Sequence, residues 1–169
     1  MNFIFSSYSV LCDVSKNKLP YYKSPFEFFT LVDRTHKICN TPKSEIEYIL
    51  TGESNDETIL FVHGLGSNLR QFFPQQNYFS EDYKVVSLSL RGHGESTKPK
   101  KCDSEVLTVE KFVEDIKYLL HDRGITDFHY VGNSMGGIVG YELLKQSPQR
   151  FKSFITFGTT AELDKSIIS

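Results

Sequence analysis

A chain of 169 residues is long enough for one domain with a real core and too short for two large ones. Its formal charge of −2 argues against a nucleic-acid binder, and 39% hydrophobic with 24% charged residues is the balance of an ordinary soluble globular chain. Fourteen Phe and nine Tyr make it notably aromatic, which favours core packing.

Cys12, Cys39 and Cys102 are widely spaced and odd in number. They form neither a zinc pattern nor a disulfide framework, and the reading is free thiols in a reducing compartment. The start, MNFIFSSYSVLCDVSK, lacks a basic n-region and its apolar residues are interrupted, so no signal peptide is expected. No apolar run approaches the length that crosses a bilayer. The expected location is cytoplasmic.

Residues 1–27 show no period and are punctuated by Pro20 and Pro25; they read as an arm or lead-in, with the domain over 28–169. Residues 28–39 read as a first strand, Asn40-Thr41-Pro42-Lys43 as a turn, and Glu45 to Leu50 as a second strand completing a hairpin. Thr58 to Val62 is a compact apolar run typical of a strand buried on both faces. His63-Gly64-Leu65-Gly66-Ser67-Asn68 follows, then a short helix over Leu69 to Gln76 that contains Pro74. Lys84 to Leu88 is another apolar strand, and Arg91-Gly92-His93-Gly94-Glu95-Ser96 opens the next loop.

Thr108 caps a predicted helix through Leu120, whose Phe112, Ile116, Leu119 and Leu120 recur at three- and four-residue spacing; Gly124 supplies its stop. A strand over Phe128 to Val131 leads into Gly132-Asn133-Ser134-Met135-Gly136-Gly137, and a helix runs from about Met135 to Gln146. Phe151 to Phe157 is one more strand. The rhythm of strand and helix after the hairpin predicts an α/β domain with a mainly parallel sheet and helices on both faces. Right-handed crossovers then gather the His63, Arg91 and Ser134 loops at one carboxyl edge.

The stretch Gly132 to Gly136 fits the G-x-S-x-G turn, in which small neighbours let a serine sit on a sharp strand-to-helix bend. Together with His63-Gly64-Leu65-Gly66 and Arg91-Gly92-His93-Gly94-Glu95-Ser96, in that order, it resembles the α/β-hydrolase superfamily, especially its esterase, lipase and acyl-hydrolase branch. The resemblance spans about Glu45 to Thr159. It implies an α/β-hydrolase fold incomplete at its carboxyl end, and a serine hydrolase cleaving an ester, thioester or related acyl bond through an acyl-enzyme. Ser134 is then the expected nucleophile, and the backbone N–H groups of Leu65 and Met135 the expected oxyanion donors. His63, Gly64, Gly66, Arg91, Gly92, His93, Gly132 and Gly136 are expected to support the loops, Arg91 through hydrogen bonds to nearby carbonyls.

The family order of serine, acid, histidine puts the base after Ser134, yet the 35 residues that follow contain no histidine, and Glu162 and Asp164 are the only acids after the last predicted strand. The base and acid are therefore expected downstream, in sequence continuing the chain. The open alternative is an inactive truncated product, or a binding or structural relative that keeps the scaffold. Gly64-x-Gly66 lacks the third glycine of a dinucleotide fingerprint, no loop ends as a P-loop does, and His63 and His93 form no metal motif, so no cofactor or metal is expected. A serine at 134 also speaks against the aspartate-nucleophile epoxide-hydrolase and dehalogenase branches. The expected partner is a small-molecule acyl substrate, with no nucleic acid and no membrane-spanning segment; oligomeric state is left open.

Overall fold

Among the described residues, short apolar runs separated by polar turns fold into six strands that share one sheet in the order β1-β2-β4-β3-β5-β6. The computed structural model describes residues 35–99 and 107–160. The strands are β1 Lys37–Asn40, β2 Glu45–Thr51, β3 Thr58–Val62, β4 Lys84–Leu88, β5 Phe128–Asn133 and β6 Phe151–Phe157. β3 is parallel to β4 and β5, and β5 to β6, while the β1–β2 hairpin joins antiparallel to β4. This is the expected mainly parallel α/β sheet. The expected lead-in over 1–27 lies outside the described residues, as do residues 28–34 of the expected first strand.

Two boundaries differ from the sequence reading. β1 begins only at Lys37 and includes Asn40, because Asn40 pairs with Glu45 and the turn tightens to 41–44, closed by the Thr41 N–H donating to the Ser44 carbonyl at 2.7 Å. The single helix expected over 69–76 is a 3-10 turn, Leu69–Phe72, followed by α1, Phe73–Phe79. Pro74 explains the break: lacking an N–H, it fits the first turn of a helix, where no acceptor is needed, so α1 starts beside it. Asn68 caps the 3-10 turn by accepting the Arg70 N–H at 3.0 Å.

α2 (Val109–Asp122) and α3 (Met135–Gln146) match their predicted spans closely. The Thr108 hydroxyl caps α2 by accepting the Lys111 N–H. Gly124, at φ +67°, ends it: its N–H reaches the His121 carbonyl at 3.0 Å and the Ile125 N–H reaches that of Leu120 at 2.8 Å.

Period-two alternation divides the sheet into two faces, both covered. Leu60, Val62, Val86, Leu88, Phe128 and Tyr130 pack with Phe112, Ile116 and Leu119 of α2 and with Val139 and Leu143 of α3. On the opposite face Phe61 stacks on Phe72, ring centroids 4.7 Å apart, with Phe79 of α1 behind. The chain leaves β3 toward β4 on one side and returns to β5 on the other, so β3 and β5 flank the point where the winding reverses. In sheets of this kind the crevice beyond the strand ends at that point is where ligands bind.

Candidate active site

In register, Val62 of β3 lies opposite both Leu88 and Gly132, so the loops after β3, β4 and β5 leave one edge of the sheet. The elbow after β5 depends on how closely α3 approaches β3 and β5. A Cβ on Gly136 would collide with the Val62 carbonyl, and one on Gly132 would lie 2.6 Å from the Gly136 carbonyl oxygen. The Tyr130 hydroxyl donates to that same carbonyl at 2.6 Å, fixing the first turn of α3 to β5.

The sharpness of this turn falls on Ser134. It has φ 49° and ψ −114°, the one positive-φ residue other than glycine among the described residues. Such a conformation costs about 1–3 kcal/mol and persists only where its surroundings enforce it. Here the Ser134 N–H is held by the Phe157 carbonyl at 2.9 Å, and its own carbonyl accepts from Gly137 and Ile138. Its hydroxyl has no hydrogen bond among the described residues and caps nothing.

The loop after β3 lies directly against this serine. A Cβ on Gly64 would sit 3.3 Å from that of Ser134. The Gly64 N–H donates to Gln71 Oε1 at 3.2 Å, whereas the Leu65 N–H has no acceptor among the described residues and the Leu65 side chain is 77% exposed. Met135 opens α3, where a first-turn N–H has no acceptor inside the helix and points outward at its positive end.

Both histidines of these loops are engaged at both ring nitrogens. His63 is fully buried; its Nε2 accepts the Leu90 N–H at 3.0 Å, so its Nδ1–H donates to the Gly64 carbonyl at 2.7 Å. Burial pushes the imidazole down to about 4, against the opposing pull of its bond to Gly64. His93 Nε2 accepts the Gly66 N–H at 3.3 Å, and its Nδ1–H donates to the Arg91 carbonyl at 3.2 Å. The two rings lie 5.0 Å apart. Neither has a nitrogen left to take a proton from Ser134.

Arg91 does not work through carbonyls as expected. Its guanidinium is buried and grips Asp115 of α2 with both arms, Nε to Oδ2 at 2.6 Å and Nη2 to Oδ1 at 2.7 Å, while the Ser44 hydroxyl donates to Oδ1 at 2.7 Å. A charge of that size inside the protein needs a counter-charge, and the fork of Arg fits a carboxylate where single carbonyls do not. Asp115 was missed in the sequence, although it sits three residues after Phe112 and four before Leu119, inside the apolar stripe of α2. Glu47 was missed too: on a strand buried on both faces, the alternation of EIEYILT places it inward with Ile49 and Thr51. Glu162 and Asp164, the acids after β6, lie outside the described residues. Among the described residues no group of three or more His, Cys, Asp and Glu is gathered as metal ligands would be, and no helix is long and apolar enough to cross a membrane.

The sequence profile of the alpha/beta hydrolase fold matches residues 57–168. The chain belongs to this family. It is 29% identical over 121 residues to 3-oxoadipate enol-lactonase 2 of Acinetobacter baylyi, covering 72% of this chain and 44% of that protein. It is 26% identical over 113 residues to epoxide hydrolase 1 of Caenorhabditis elegans, covering 67% of this chain and 28% of that protein. Among solved structures, a hydrolase from Pseudomonas aeruginosa matches with a TM-score of 0.71 at 25% identity, over 79% of this chain and 49% of that one. The chain thus spans about half the length, or less, of these alpha/beta hydrolase relatives.

Proposed function

We propose that the protein is a serine hydrolase that cleaves an ester, lactone, thioester or related acyl bond of a small molecule. The observation that carries this is Ser134: strained, its hydroxyl without a hydrogen bond among the described residues, and against Gly64 at the strand-end crevice. In this reading the Ser134 hydroxyl attacks the substrate carbonyl, and the Leu65 and Met135 N–H groups receive the oxyanion as it forms. Water then attacks the acyl-enzyme and returns the serine. His63, Gly64, Gly66, Arg91, Gly92, His93, Gly132 and Gly136 hold the loops. Because His63 and His93 are occupied, neither is assigned as the base that takes the Ser134 proton.

The relatives include both a lactonase and an epoxide hydrolase, and the chemistry of serine favours the acyl side. A serine that opened an epoxide would be left as an ether, with no carbonyl for water to attack. A serine that opens an ester or lactone is left as an ester, which water reverses through the same oxyanion contacts.

Fluorophosphonate labelling of the protein tests the assignment. Wild type is expected to label covalently and Ser134→Ala to lose the label; equal labelling of both sinks it. A second reading, a scaffold relative without turnover, draws on one observation, that His63 and His93, the histidines of the two neighbouring loops, have both ring nitrogens occupied. Ser134-dependent turnover of an activated ester by residues 1–169 alone counts against that reading.

A further inference from the structure

We propose that Glu47 is a positioning residue for this site: its buried carboxylate locks the loop after β3 to the loop after β4, and so fixes the backbone that faces Ser134. Its consequence for catalysis rests on the serine-hydrolase reading; the coupling of the loops does not.

A fully buried carboxylate is costly unless its oxygens are satisfied. Glu47 Oε1 accepts from His36 Nδ1 at 2.6 Å, and Oε2 accepts the Ser89 hydroxyl at 2.7 Å and the Glu95 N–H at 2.9 Å. Burial alone would raise the carboxyl, yet the bonds from Glu95, Ser89 and His36 outweigh it and hold the group below its ordinary range. Glu47 is thus an anion inside the fold whose donors come from His36 before β1 and from Ser89 and Glu95 at the two ends of the loop after β4.

Two branches run from it to the same loop. Since a carboxylate cannot donate, the Ser89 proton points at Glu47 and the Ser89 oxygen is free to accept the Leu69 N–H, which it does at 3.2 Å. That anchors the end of the 64–68 loop. On the other branch Glu95 is held directly, and Gly94, at φ +52°, passes so close that a Cβ there would strike Glu47 Oε2 and Ser89 Oγ. This fixes the segment carrying His93, whose Nε2 accepts the Gly66 N–H. The Ser96 hydroxyl closes the loop, accepting the Glu47 N–H at 2.9 Å and donating to the Ser89 carbonyl at 2.6 Å. Gly66 and Leu69 bracket the same loop, and both anchors lead back to one carboxylate.

Amide hydrogen exchange on the native protein tests this, with wild type, Glu47→Gln, Glu47→Asp and Ser89→Ala compared. Gln keeps the size but offers an NH2 where a lone pair is needed. It is expected to speed exchange about 10-fold in residues 64–69 and 92–96 while Thr58–Val62 and Val139–Leu143 stay at wild-type rates. Ser89→Ala cuts only the first branch and is expected to speed 64–69 alone; it decides the matter if Glu47→Gln fails to fold. Asp restores the charge and is expected to recover part of the protection. Unchanged exchange in both loops, or an equal rise throughout the chain, overturns the proposal. Fluorophosphonate labelling in Glu47→Gln is expected to slow about 10-fold relative to wild type. Faster loop exchange with an unaltered labelling rate overturns the positioning role. Equal labelling of wild type and Ser134→Ala is a separate result: it removes the nucleophile and leaves the exchange result standing.

Discussion

At His63 one residue carries both a structural bond and a protonation cost. Its neutral ring ties Leu90 at the end of β4 to Gly64 beside Ser134, and a proton on Nε2 would set two donors against each other. The unfolded chain takes that proton near pH 6.5 and the folded one only near pH 4. With the folded value depressed, the contribution is complete above pH 6.5 and is lost as pH falls from about 6.5 to about 4. Its full size is about 3 kcal/mol. Urea midpoints measured from pH 7 to pH 4 are expected to fall more steeply in wild type than in His63→Gln, which starts lower but lacks this titration. Parallel curves would remove His63 as the source.

Among the elements, α3 is seated by its glycines. Gly136 rides on the β3 backbone at Val62 and His63, where the neighbour is a carbonyl and cannot rotate aside as a side-chain tip can. Gly136→Ala must push α3 away from β3, and the expected loss of stability is about 3 kcal/mol or more by denaturant unfolding. The same shift displaces the Met135 N–H, so labelling at Ser134 is expected to drop in whatever fraction remains folded. A loss below about 1 kcal/mol would mean that the helix is free to slide. The motif announced small residues around Ser134; that Gly132 meets α3 while Gly136 meets β3 follows only from the crossing of helix and sheet.

Across the whole molecule, the Arg91–Asp115 pair links the β4 loop to α2, and Ser44 joins the hairpin turn to it. Replacing Asp115 by Asn leaves the Arg91 guanidinium buried against a neutral amide, and the expected destabilisation is about 3–5 kcal/mol. Lys111 and Glu114 form a similar ion pair on the exposed side of the same helix, where solvent screens it, and Glu114→Gln is expected to change the denaturation midpoint far less. A midpoint for Asp115→Asn equal to that of Glu114→Gln would show the buried pair to be energetically idle.

The chain alone specified the strand–helix rhythm, the Thr108 cap of α2, the span of α3 and the elbow motif at Ser134, because periodicity, capping and glycine spacing are local properties of a chain. It did not determine which groups the two buried acids meet. The apolar stripe of α2 and the alternation of β2 mark Asp115 and Glu47 as inward-facing, but their partners, Arg91 and Ser44 for one and Ser89 and Glu95 for the other, come from segments that only the fold brings together. Tertiary structure also decided the fate of the histidines. His63 and His93 were expected to support the loops; which groups they hold is a tertiary matter, since Leu90, Gly64, Gly66 and Arg91 arrive from two loops and take both nitrogens of each ring. Which serine stands on the turn is written in five consecutive residues; what surrounds it depends on loops that meet only because parallel strands end at one edge.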